Sequence, residues 1–198
     1  MWNKINWISL EERKENLEQI FRDFMLDMWL DLEDASLKDT PKRVAKMFIN
    51  EVCKGLYNDP PKITTFPNDQ KYSWMVVVKD IKIQSLCEHH FQPIIWKAHI
   101  AYIPGKKVVW LSKLARVADF FARRPQIQER LSKQIFDHLC EVLETENIAI
   151  IIDAEHFCMK LRWVEDPCSS TSTDMMWGLF MHSSNTRREF LDAVSRKI

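Results

Sequence analysis

The sequence predicts an α+β protein: N-terminal helices, then an antiparallel four-stranded sheet with two helices on one face. Three observations carry this. Apolar residues recur at helical spacing through the first fifty positions. Strand-like runs, alternating or β-branched, begin only after Trp74. From there the elements follow the order strand, strand, helix, helix, strand, strand.

In the N-terminal part, Leu17, Ile20, Phe21, Phe24 and Met28 form an amphipathic stripe between Glu, Lys, Arg and Asp residues. Thr40-Pro41 reads as an N-cap followed by proline at the first helical position. The helix it opens carries Val44, Met47, Phe48 and Val52 on one face and stops near Gly55. Residues 58–68, rich in Asn, Asp and Pro, separate this part from the rest. The chain therefore divides into a helical extension, residues 1–70, and an α+β part, residues 71–198. Within the second part, residues 75–83 and 94–103 read as strands, the latter ended by Pro104-Gly105. Leu111, Leu114, Ala115, Ala118 and Phe121 stripe a helix that Arg124-Pro125 interrupts, because the residue before proline is pushed out of the helical region. Ile127, Leu131, Ile135, Leu139 and Val142 stripe the next helix. Residues 148–152 form a β-branched strand, residues 157–164 its expected partner, and residues 185–196 a terminal helix.

Charge narrows the function classes. Twenty-eight basic residues balance 28 acidic ones, so no net field favours nucleic acid or an anionic membrane. A phosphate-bearing ligand would need a local basic cluster. No apolar run approaches spanning length, and the first residues lack the apolar core and cleavage site of a signal peptide, which predicts a cytoplasmic protein. Five cysteines in a reducing compartment point to thiols or metal ligands over disulfides.

The densest chemistry lies at Cys87-Glu88-His89-His90, with a second polar cluster at Glu155-His156-Phe157-Cys158. Two thiolates and one imidazole would give zinc three protein ligands and leave a fourth position for water, as in catalytic sites. A zinc ion lowers the pKa of such a water to roughly 7. A Cys-x-x-His pair alone equally fits a buried thiol beside a surface histidine. Three adjacent titratable residues are harder to explain as core. His99, His138 and His182 read as ordinary structural histidines, and Cys53, Cys140 and Cys168 as ordinary thiols.

Five segments occur in order: Ser85-Leu86-Cys87-Glu88-His89-His90, Ala101-Tyr102-Ile103-Pro104, Leu111-Ser112-Lys113-Leu114-Ala115-Arg116, Arg124-Pro125-Gln126-Ile127-Gln128-Glu129-Arg130-Leu131 and Glu155-His156-Phe157-Cys158. In this the chain resembles GTP cyclohydrolase I from about Thr40 onward. The resemblance implies zinc ligands at Cys87, His90 and Cys158, and catalytic residues at His89, His156 and Ser112. It implies guanine recognition by Gln128 and Glu129, and a triphosphate clamp of Lys113, Arg116, Arg162 and Arg43. The implied reaction turns GTP into 7,8-dihydroneopterin triphosphate and formate. The implied fold is the tunnelling fold, built into a homodecamer with sites between subunits and with no nucleic-acid or membrane partner. Two other readings suit the same motifs: another tunnelling-fold enzyme, such as a nitrile reductase using Cys87 as nucleophile, or a zinc-bearing homologue that binds or scaffolds without turnover.

One departure from the family pattern stands out. The chain has 3 Gly and 8 Trp, where average usage of roughly 7% would give about fourteen glycines. Trp96, Trp110, Trp163 and Trp177 stand where the family typically has glycine, and Trp29 is a fifth candidate. Glycine serves positive φ or close backbone approach, and tryptophan suits neither. Repeated swaps of this kind predict overpacking. Two readings account for both the shortage and the surplus: UGA codons written as tryptophan in a gene whose host reads UGA as glycine, or genuine drift, since one base change also converts a glycine codon to UGG.

Overall fold

The computed structural model describes residues 8–161 and 166–196. It separates into two compact units that meet in sequence between Asp59 and Pro60.

The first unit is helical. Helix α1 (Leu10–Asp27) opens at Ser9, whose hydroxyl accepts the Glu12 amide, with Glu11 and Glu12 in the first turn where the helix dipole favours acids. Helix α2 (Thr40–Met47) begins at Thr40 itself, one residue earlier than the sequence suggested, with Asp39 at the N-cap and Pro41 in the first turn. It runs into a π-helical turn, Phe48–Val52, and a short helix α3 (Lys54–Tyr57). Phe21 of α1 meets Phe48 with ring centroids 5.6 Å apart, and Met25, Ala45 and Ile49 are buried.

Helix α1 ends in an unusual way. The amide of Trp29 donates to Leu26 O (2.8 Å) and that of Leu30 to Met25 O (3.1 Å). This pair of bonds is a Schellman cap, which needs a left-handed residue and normally takes glycine. Trp29 occupies that position at φ 60°.

In the second unit the elements are β1 (Thr65–Pro67), β2 (Val76–Cys87), β3 (Pro93–Tyr102), β4 (Lys107–Val109), α4 (Leu111–Ala122), β5 (Pro125–Gln126), α5 (Gln128–Leu143), β6 (Ile148–His156), α6 (Phe157–Lys160), β7 (Thr171–Met176), α7 (Leu179–His182) and α8 (Ser184–Ser195). The main sheet has the order β5-β2-β3-β6-β7. Strands β2, β3, β6 and β7 are antiparallel to their neighbours, while the two-residue β5 runs parallel to β2. Strands β1 and β4 form a separate ribbon.

The α+β class and the four long antiparallel strands agree with expectation, but the sheet has five strands. The fifth arises because Pro125 ends α4 and its extended backbone lies along Leu86-Cys87. The expected strand at residues 157–164 is corrected too. Residues 157–160 turn into α6, and the partner of β6 is β7, through pairs such as Ala154↔Thr171 and Ile152↔Thr173. Residues 162–165 lie outside the described residues.

The main core lies between the sheet and helices α4 and α5. Ile83, Ile94, Trp96, Ala98 and Ile100 from the strands meet Leu114, Val117, Leu131, Ile135 and Leu139 from the helices. The opposite face is also covered over part of its length. There Ala101, Ala149 and Ile151 pack with Phe180 of α7 and Phe190 of α8.

Candidate metal centre and active site

Cys87 is the last residue of β2, and the chain reverses at once. The Phe91 amide donates to Cys87 O (2.8 Å), and the Cys87 amide to Gln92 O (2.8 Å). Phe91 pays the conformational cost of this tight turn at φ 53°. The reversal brings His90 Nδ1 to 3.7 Å and His89 Nδ1 to 4.0 Å from Cys87 Sγ. The third sulfur arrives from β6. Register Ile94↔His156 sets the end of β6 beside the start of β3, and α6 then turns Cys158 toward Cys87. The ligand atoms of Cys87, His90 and Cys158 lie within 4.8 Å of one another. Tetrahedral zinc with sulfur and imidazole ligands needs separations of about 3.5–3.8 Å. The donor set therefore fits a metal ion with a small contraction.

These three residues line a pocket of about 210 Å³ that His89, Gln128, Glu129 and His156 also line. Gln128 and Glu129 enter from the first turn of α5. Gln128 is only 2% exposed. Its amide nitrogen donates to Ile152 O (2.8 Å) and Thr171 O (3.1 Å), and its oxygen lies 2.9 Å from His156 Nε2. Burial pushes the His156 pKa below the usual histidine value, with nearby Glu129 pulling weakly the other way, so the ring is neutral at neutral pH. The Trp96 ring packs against His156 with centroids 5.8 Å apart. Trp96 is 1% exposed, and its buried Nε1 has no hydrogen-bond partner among the described residues. An unpaired buried donor of this kind costs about 1–3 kcal/mol.

The other expected residues lie elsewhere. Ser112, Lys113 and Arg116 are on the first turns of α4, where Lys113 Nζ donates to Lys62 O (3.3 Å) and Ser112 and Arg116 are exposed. They are not among the lining residues of this pocket. Trp110 sits at the N-cap of α4 and makes no side-chain cap bond. Arg43 is on α2 in the first unit, paired with Asp39 (3.4 Å). Arg162 and Trp163 lie outside the described residues.

Two residues that sequence reasoning passed over complete the surroundings. The Glu88 carboxylate accepts from Arg130 Nη2, and its other oxygen stands 3.8 Å from His89 Nε2. Arg130 Nε donates in turn to Gln126 Oε1 (2.9 Å). Both residues fall inside the motifs quoted above. An acid between two candidate ligands and an arginine one helical residue after Glu129 were the available signals.

Fold and site together define an α+β protein with a Cys₂His group able to hold a metal ion at the wall of a histidine-lined pocket. Comparison with known proteins is specific. The profile of the family described as GTP cyclohydrolase I matches residues 17–195. The GTP cyclohydrolase 1 of Yersinia enterocolitica is 48% identical over 188 residues, covering 94% of this chain and 86% of that protein. The GTP cyclohydrolase 1 of Vibrio parahaemolyticus is 46% identical over 190 residues, 96% of this chain and 88% of that protein. That of Serratia proteamaculans is 48% identical over 188 residues, 94% and 85% respectively. The chain belongs to the GTP cyclohydrolase I family.

Proposed function

We propose that this protein hydrolyses GTP to 7,8-dihydroneopterin triphosphate and formate with zinc at Cys87, His90 and Cys158. The observation that carries the reading is the convergence of this donor set with His89, His156 and Glu129 on one pocket, in a chain that matches the family over nearly its whole length.

C8 of guanine is a poor electrophile until N7 is protonated. His89 is the group for that task, since histidine alone exchanges protons readily near pH 7. Glu129 offers two acceptor oxygens to N1–H and the 2-amino group, a donor pair that adenine lacks. Gln128 acts beside it in base recognition. His156 is neutral and supplies a second polar ring in the pocket. Zinc, when bound, contributes Lewis acidity and an activated water at neutral pH. Ser112 attends the ribose, whose carbons close the new ring after formate leaves. Lys113, Arg116, Arg162 and Arg43 supply the positive charge that a chain with 28 acidic and 28 basic residues lacks overall.

A pocket of about 210 Å³ is smaller than the roughly 300–1,000 Å³ that enclose a ligand of this kind. Neighbouring copies supply the remaining walls. Strand β7 is the edge of the sheet within the chain, ready to pair with another copy in a ring. The product feeds pterin, folate or deazaguanine synthesis in the cytoplasm. No helix among the described residues is long and apolar enough to cross a membrane. The helical extension serves the catalytic part; the expected boundary at residues 70 and 71 moves to Asp59 and Pro60, because strand β1 pairs with β4 in the second unit.

The test is turnover of GTP by the zinc-loaded protein. Formate and a fluorescent pterin, after oxidation, are expected in equal amounts. Both should vanish on chelation and return with zinc. Absence of both products from folded, zinc-loaded protein refutes the proposal.

A further inference from the structure

We infer that Gln128 is a positioning residue whose amide fixes His156 as the tautomer protonated at Nε2, leaving Nδ1 as the ring's acceptor. The argument is one of hydrogen-bond capacity. A glutamine amide has two N–H donors, and a carbonyl oxygen can only accept. Both donors of Gln128 are taken, by Ile152 O (2.8 Å) and Thr171 O (3.1 Å). Those two carbonyls determine which end of the amide is nitrogen, so the end facing His156 is oxygen. Its distance to His156 Nε2 is 2.9 Å. An oxygen that only accepts requires Nε2 to carry the proton, and the neutral ring then keeps its lone pair on Nδ1.

The anchors come from three elements: the start of α5, strand β6 through Ile152, and strand β7 through Thr171. At 2% exposure the Gln128 side chain is held almost wholly by these protein partners. Gln128 therefore has no donor left for a purine, and its contribution to base recognition is indirect. His156 is preset as an acceptor for an N–H or O–H of the bound nucleotide, complementary to His89 as the proton donor.

This rests on GTP being the substrate at this pocket, but its first readout does not. Long-range proton–nitrogen spectra of the histidine side chains are recorded on the zinc-loaded full chain. They are compared for the wild type, Gln128→Met and Gln128→Glu, with zinc content and circular dichroism as controls on folding. The wild-type His156 shows Nε2–H. Gln128→Met shifts it toward a mixture containing Nδ1–H. Gln128→Glu, which keeps an oxygen for Nε2–H, retains the wild-type tautomer. In turnover, Gln128→Met lowers kcat by about 10–100-fold, the loss seen when the partner that orients a metal-ligating histidine is removed, with KM within about twofold. Gln128→Glu, which keeps the acceptor for His156 but loses both donors to Ile152 O and Thr171 O, recovers only part of that loss. A wild-type Nδ1–H signal, an unchanged tautomer in folded Gln128→Met, or a raised KM with kcat intact overturns the inference. Where the wild type makes no pterin, the substrate reading alone fails, and the tautomer comparison still decides this one.

Discussion

Replacing Trp29 with glycine should stabilise the protein, and the end of α1 gives the size of the effect. The Schellman bonds of Trp29 and Leu30 require the left-handed conformation that Trp29 adopts at φ 60°. That conformation costs an L-residue roughly 1–2 kcal/mol. The indole is 95% exposed, so its removal forfeits little burial. Against the gain stands the greater freedom of glycine in the unfolded chain, roughly 0.5–1 kcal/mol. The expected net is about 0.5–1 kcal/mol in favour of Trp29→Gly. For a chain of this length that is a Tm rise of roughly 1–4 °C. Trp29→Ala is the decisive control, because alanine loses the ring but keeps the φ penalty. Thermal and urea unfolding should rank glycine above both alanine and the wild type, with slower hydrogen exchange at the Trp29 and Leu30 amides in the glycine variant. Equal stability of the alanine and glycine variants refutes the backbone argument, as does any loss of stability in Trp29→Gly.

The same reasoning reaches the gene. Among the described tryptophans the positive φ that favours glycine is found at Trp29, whereas Trp110 has an ordinary extended backbone at φ −65°; the miscoding reading expects UGA at Trp29, Trp96, Trp110, Trp163 and Trp177. UGG at Trp96, Trp110 and Trp163 ends that reading. For the metal, the purified protein should bind one zinc per chain. Cys87→Ser and Cys158→Ser should each weaken it by more than about 100-fold, since even an outer-shell partner is worth 10–100-fold, whereas His89→Asn retains it; a chelator titration measures all three. For pH, His138 is held below the usual histidine pKa chiefly by burial, with Glu141 opposing. The unfolded chain therefore binds the proton first as pH falls. The stability contribution is complete above about pH 6.5 and is lost as pH drops toward the folded-state pKa. His138→Phe should flatten that part of the stability profile and remove the unpaired buried Nε2, worth about 1–3 kcal/mol. An unchanged slope between pH 7 and 5 in urea unfolding contradicts the assignment.

Much of this molecule was legible in its residues. Apolar spacing identified α1, α2, α4 and α5 as helices, but only α4 and α5 bury the expected stripe; in the first unit Ile20, Phe24, Met28 and Met47 are exposed, and the buried positions are Met25, Pro41 and Ala45. The Cys87, His90 and Cys158 donor set was legible as chemistry, and the structure brings those atoms within 4.8 Å. Misreadings arose where local pattern and long-range pairing compete. Residues 157–160 look apolar enough for a strand, yet they form α6, because β6 has already found its partner in β7. The parallel β5 strand has two residues, too few for any periodicity.

Tertiary structure alone decided the rest. The α5 motif puts Gln128 and Glu129 side by side as equals, but only folding sinks the Gln128 amide between Ile152, Thr171 and His156. Only folding pairs Glu88 with Arg130. Composition alone disclosed the shortage of glycine, while only folding shows that Trp29 caps α1 in the left-handed conformation. The division has a physical cause. Side-chain chemistry and helical period belong to the residue and its near neighbours. Hydrogen-bond saturation depends on which distant backbone groups arrive beside a side chain once water has been excluded.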